Sequence, residues 1–251
     1  MAKGLFVGIG SAGALAAAAA GYYATSVRQA AVNAPSRALE ANASDPCIVS
    51  RIRLVEGMTP ACFTSAQYEA LRDRSVISGA GDPVTVNLEA PDPTKEGAAA
   101  RTCAEYDAMT EQGWYALSNA DMRREEYFKR ACGALSMLVK GRAAVSSHFS
   151  LGKAAKEDVL SLAEQEAIVF GEPEPSVSIE VTNVEEGVWR MTIGQGETMI
   201  YEIAHADFNG DGLGEILAYM STGPAGGTAR VGAIGLIEKN ASGGPCSFTA
   251  R

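Results

Sequence analysis

Hydrophobic and polar positions alternate through the last third of the chain. From Ser176 onward the runs "SVSIEVTN", "GVWRMTIGQ", "ETMIYEIAHADF", "GEILAYMST", "ARVGAIGLIEK" and "CSFTA" repeat with period two, separated by short turn-forming stretches. That period belongs to half-buried strands, and the close spacing predicts an antiparallel sheet. Further upstream, "CIVSRIRLVEG" sets Ile48, Ser50, Ile52 and Leu54 against Arg51 and Arg53, and "PVTVNLE" alternates Val84, Val86 and Leu88. Both read as strands.

Between these runs the apolar spacing changes to that of a helix. "TSAQYEALRDR" opens with Thr64 three residues before Gln67, the spacing of a capping box. In "AAARTCAEYDAMTEQ", Ala99, Cys103, Tyr106 and Thr110 fall on one stripe. In "NADMRREEYFKRACGALSMLVKG", Phe128, Cys132, Leu135 and Val139 do the same. Asn119 or Asp121 can cap this second helix, and Lys140-Gly141 closes it. The link "GWYALS" is short, which makes the two helices antiparallel neighbours. "KEDVLSLAEQEAIVFGEPEP" is part helix and then a Pro/Glu-rich break. The expected fold class is α+β, with a mainly helical part over 47–170 and a β-rich part over 171–251.

The N-terminus follows neither pattern. Lys3 is followed by no charge until Arg28, so Gly4 to Val27 is an uncharged run long enough to cross a bilayer, which takes roughly 20 residues. Residues 1–27 therefore read as a signal peptide, with Ala18-Ala19-Ala20 as an A-x-A cleavage site, or as a retained transmembrane anchor. Residues 28–46 carry no sustained apolar face and read as a linker. Either reading places residues 47–251 outside the cytoplasm, in the periplasm or anchored at the inner membrane.

Cysteine usage agrees with export. The five cysteines are Cys47, Cys62, Cys103, Cys132 and Cys246, with no C-x-x-C pair to suggest a zinc knuckle or thioredoxin-like motif. In an oxidising compartment the expected bonds are Cys47–Cys62 and Cys103–Cys132, leaving Cys246 as a buried thiol. The helical rise supports the second bond. From the facing helix ends, Cys103 lies roughly 13 Å back and Cys132 roughly 18 Å along, at 1.5 Å per residue. Both share the buried stripe.

Charge narrows the partners. The net charge is −9, and residues 171–251 hold 11 acidic against 4 basic side chains, so the acidic balance sits in the last third. Nucleic acid binding needs a basic footprint and is excluded. In the same third, "DFNGDGLGE" places Asp207, Asn209, Asp211 and Glu215 at positions 1, 3, 5 and 9, with Leu213 at position 7. Alternate side chains and one backbone carbonyl can converge on a hard cation, which takes six to eight oxygens. Gly210 and Gly212 permit the sharp turn. Position 12 is Ala218, so the bidentate glutamate of an EF-hand is missing. The competing reading is a metal-free hairpin turn whose carboxylates cap backbone N–H groups.

This stretch resembles the calcium loops of FG-GAP and VCBS-type repeats, as in integrin propellers, over about 12 of 251 residues. The resemblance implies a structural Ca2+ held by Asp207, Asn209, Asp211, Glu215 and the Leu213 carbonyl. It implies no propeller, because one copy is present. Gly214 departs from the polar residue that the repeats often carry. The segment "GWYALSNADMRREEYFKRACGAL" is similar to a group of exported bacterial proteins, which implies export but no activity.

Catalytic signatures are thin. His148 lies beside Ser146 and Ser147 without a G-x-S-x-G or S-x-x-K context. His205, two residues before the loop, reads as a strand-surface residue or a support for the metal ligands. "GQGETM" lacks the strand–helix setting of a dinucleotide loop, and no Walker pattern occurs. Trp114, Tyr115, Tyr127 and Phe128 gather near the helix–helix link as core or as a patch for membrane-protein partners. The expectation is a non-enzymatic, calcium-binding accessory or scaffold protein, in the periplasm or anchored in the membrane, with a subunit role in an inner-membrane complex open. The alternative is a secreted or periplasmic hydrolase with a structural calcium.

Overall fold

Alternation becomes pairing in the C-terminal half of the computed structural model, which describes residues 46–48, 52–169, 178–227 and 230–251. Strands β4 (Ile179–Glu185), β5 (Val188–Ile193), β6 (Gly196–Ala206), β7 (Glu215–Pro224), β8 (Val231–Lys239) and β9 (Cys246–Ala250) pair in chain order, each antiparallel to the next. Strand β1 (Cys47–Ile48) joins the same sheet where β5 stops short. It pairs with β6 at Cys47↔His205 and Ile48↔Ala204, beyond the last β5 rung at Tyr201. Of the strand expected to run on from Ile48, residues 49–51 lie outside the described part, and Ile52 to Leu54 form no strand, with Val55 making only an isolated bridge to Val76.

The sheet has helices on both faces, and the sequence alternation decides which residue goes where. On β7, Leu217 joins one core while Ile216, Ala218 and Met220 join the other; on β8, Ile234 and Leu236 are separated from Ile237 in the same way. The first core is closed by α1 (Ser65–Leu71), α2 (Cys103–Thr110) and α3 (Asn119–Lys140), together with a small hairpin of β2 (Val86–Leu88) and β3 (Ala98–Ala100). The second is closed by α4 (Lys156–Val169), with Phe149 and a 3₁₀ turn at Ser150–Gly152 leading into it. The fold class is α+β with a C-terminal antiparallel sheet.

Three local expectations are corrected. The helix expected from the alanines before Thr102 begins only at Cys103, because Ala98–Ala100 pair with Val86–Leu88 as strand β3. Thr102 is then the N-cap: its Oγ accepts from Glu105 N–H while the Glu105 carboxylate accepts from Thr102 N–H. Helix α3 is capped by Ser118 rather than Asn119 or Asp121, its hydroxyl accepting the Asp121 N–H. Gly141 ends α3 with φ −60°, so it is not a left-handed terminator. It is small for another reason: a Cβ there would lie 2.8 Å from the Phe208 ring and 2.9 Å from Pro46.

Both expected disulfides form. Cys47–Cys62 ties β1 to the segment entering α1, and Cys103–Cys132 ties α2 to α3 with a Cα–Cα distance of 5.2 Å. Contacts run in descending order along the pair, since Tyr106 packs on Phe128 and its hydroxyl donates to Glu125. That order is the antiparallel arrangement. Cys246 is a buried free thiol, pushed up to about 11 first by burial and then by nearby Asp158.

The signal peptide or anchor read over residues 1–27 and the linker over 28–46 lie outside the described residues, Pro46 excepted. Among the described residues, no helix is long and apolar enough to cross a membrane. The four aromatics near the helix link do not stack as one group there: Phe128 is in the core, Tyr127 lies under Arg130, and Tyr115 is exposed.

Candidate metal centre

Three features aim the β6–β7 loop. The first is a bulge in β6: pairing shifts from Glu202↔Ala218 to Ala204↔Leu217, leaving Ile203 as an extra residue. A bulge bends its strand and re-aims the side chains beyond it, and here the altered phase carries into the last rung, Ala206↔Glu215. The bulge puts both Ile203 and Ala204 into the same core, so side chains do not alternate between faces at that point. The second feature is the backbone of Gly210 and Gly212, at φ 86° and 87°, where a side chain would be strained. The third is a strap formed by the chain leaving α3. Arg142 and Asp207 exchange both backbone hydrogen bonds at 2.9 Å, Val145 N–H donates to Gly212, and Gly214 N–H donates to Ser146.

Within this frame the side chains organise their own loop. The Asp207 carboxylate accepts from Gly210 N–H at 2.6 Å and Gly212 N–H at 3.0 Å. Asn209 Oδ1 accepts from Asp211 N–H, Asp211 from Leu213 N–H, and Glu215 from Phe208 N–H at 2.7 Å. The capping role expected of a metal-free turn is therefore real.

Capping does not use up the carboxylates. One oxygen each from Asp207, Asp211 and Glu215 lies within 4.8 Å of the others. Asp207 and Glu215 are only 6% and 3% exposed. Among the described residues no lysine or arginine forms an ion pair with any of the three. A buried carboxylate without a counter-charge is costly. Glu215 shows this directly: burial first, then Asp211, Asp207 and Glu238, push its carboxyl up to about 7 against the pull of the Phe208 N–H.

Of the five expected ligands, the structure brings Asp207, Asp211 and Glu215 together. Asn209 is exposed and turns its amide nitrogen to Asp211, 3.2 Å away, and Glu238, 3.4 Å away. Leu213 lies on the same turn, its N–H held by Asp211. Sequence reasoning missed Glu238, which reaches the loop from β8 and also accepts from Thr249 Oγ at 2.8 Å. No local spacing could reveal it, because the sheet alone places β8 beside β7.

Ser147 and His205, far apart in sequence, are partners: Ser147 Oγ lies 3.0 Å from His205 Nε2 and 3.3 Å from the Gly214 carbonyl, and accepts the Phe149 N–H. The imidazole lies where a Gly214 side chain would be, since a Cβ would come within 2.4 Å of Nε2. A residue with a side chain at position 214 would thus meet a steric barrier. Burial lowers the His205 pKa, against a Gly214 backbone hydrogen bond that raises it. His148 is half-buried nearby in sequence and is not part of this pair.

An all-oxygen set with converging, charge-uncompensated carboxylates fits a hard cation such as Ca2+ and suits soft metals poorly. Comparison with family models, with curated proteins and with solved structures finds no match for this chain.

Proposed function

We propose that the protein is a non-enzymatic, calcium-stabilised accessory or scaffold domain that works outside the cytoplasm. Asp207, Asp211 and Glu215 hold the ion, with Asn209 Oδ1 and the Leu213 carbonyl completing the set as the FG-GAP-like loop implies. The observation that carries this reading is the convergence of three carboxylates with no lysine or arginine paired to them among the described residues. Calcium would supply the missing positive charge and stiffen the β6–β7 hairpin. The two disulfides support an oxidising compartment, the periplasm or its equivalent. The apolar stretch within residues 1–27 supports export, by a cleaved signal or a retained anchor, and with it membrane-protein partners.

The test is a thermal melt of the mature protein in chelator and in millimolar calcium. Calcium should raise the melting temperature by several degrees, with magnesium much less effective. Equal melting curves would refute the calcium site. N-terminal sequencing of the protein recovered from its native envelope separates released from anchored forms.

The hydrolase alternative gains one observation, the 3.0 Å contact between Ser147 and His205. That serine also faces the Gly214 carbonyl and holds the Phe149 N–H, the pattern of a strap fastening the loop. A screen with esterase and phosphatase substrates distinguishes the two: turnover abolished by Ser147→Ala would favour the enzyme.

A further inference from the structure

We propose that Arg130 and Arg53 form a receiving site for a small organic anion, in a cleft whose lining shares no residue with the carboxylate loop. The cleft has a volume of about 360 Å³, within the range of small-molecule sites. Its wall combines Arg130 of α3, Arg53, the Ser78–Gly81 turn, and Tyr201 and Val188 of the sheet.

Arg130 is the central observation. Its Nε is buried without a hydrogen-bond partner, a condition found for no other buried side-chain nitrogen or oxygen among the described residues. Its guanidinium lies over two rings, 5.3 Å from the Tyr127 centroid and 5.1 Å from that of Tyr219. Stacking of this kind holds the plane of a guanidinium while leaving its N–H edge free to bind. A buried unsatisfied donor is costly, so an anion that draws the guanidinium toward the cleft, where Nε can be satisfied, gains correspondingly. Acids nearby are otherwise engaged: Glu125 and Glu126 pair with Lys129, and Asp107 with Arg72.

The rest of the cleft matches. Among the described residues Arg53 forms no ion pair, and it lies against the turn at Gly81, where a Cβ would stand 3.1 Å from its guanidinium. The Ser78 hydroxyl oxygen accepts two backbone N–H groups, from Ala80 and Asp82, which leaves its own O–H to donate. Glu185 is the single acidic side chain on the wall, and it is exposed. Two guanidiniums and a hydroxyl suit a carboxylate, bound in bidentate fashion, while Ile52, Val188 and the Tyr201 ring offer an apolar wall to the body that carries it.

The experiment uses the full chain and two probes, benzoate and inorganic phosphate, followed by calorimetry and by the Arg130 Nε–Hε NMR signal. Saturable benzoate binding that moves this signal is expected. Arg130→Met should weaken it at least tenfold, Arg130→Lys and Arg53→Ala should weaken it less, and Arg123→Ala should leave it unchanged. Arg130→Met exchanges an unsatisfied buried donor for an apolar chain of similar length, so it should stay folded, as its melting curve will report. Absence of saturable benzoate binding, binding of phosphate alone, or benzoate binding indifferent to both arginines would each overturn the proposal.

Discussion

Single residues carry the charge problem of this molecule. Glu215 titrates at about 7 in the folded chain against an ordinary value of 4.5. A raised carboxyl binds its proton more tightly folded than unfolded, so its contribution to stability is full below pH 4.5 and is lost as pH rises to about 7. In chelator, the melting temperature should therefore fall between pH 5 and 8. Calcium should flatten the fall, and its apparent affinity should drop below pH 7. Asp211→Asn removes one charge while keeping an oxygen for the Leu213 N–H. In chelator it should melt at or above the parent temperature, because repulsion is relieved, yet calcium should no longer raise it. Both outcomes are read from the same melting series.

At the scale of elements, caps and cross-links decide where helices begin and how they are held. Cys103–Cys132 closes a separation of 29 residues, a loop for which cross-linking contributes on the order of 3 kcal/mol. Urea denaturation of the Cys103→Ser/Cys132→Ser double variant should show a loss of that size. This bond is readable from sequence because helical rise is constant and both cysteines share an apolar stripe. The start of α2 is not. Ala98–Ala100 suit a helix by propensity, and only their pairing with Val86–Leu88, a contact distant in sequence, turns them into a strand. The clustering of the loop carboxylates is readable for the opposite reason: Asp207, Asp211 and Glu215 stand within nine consecutive positions. Glu238 and the Ile203 bulge depend on strand register, which no local spacing encodes.

For the whole molecule, the decisive arrangement is one sheet between two cores. Alternation along β7 and β8 announces two faces, but not which helix covers which. That choice is written partly in polar contacts. On one face, Asp158 of α4 meets Lys239 of β8 at 2.5 Å, with side chains 7% and 8% exposed. Asp158 also accepts the Ala155 N–H, and Ser161 holds the backbone of Cys246. Asp158→Ala would leave a lysine buried without its partner, a change that costs on the order of 3 kcal/mol. Chemical denaturation should register it, whereas the exposed pair Arg124–Asp121 should contribute far less when broken.

The two-residue strand β1 has a mechanical consequence. A pull transmitted along the chain that precedes Pro46 arrives at Cys47, which faces His205 just before the turn that bears Asp207. Two rungs of a ladder would unzip under modest tension. The covalent bond to Cys62 instead hands the load to the segment leading into α1, so the hairpin beyond His205 is shielded while that bond is intact. Reduction would leave any such pull acting on the two rungs of β1, and through them on the loop.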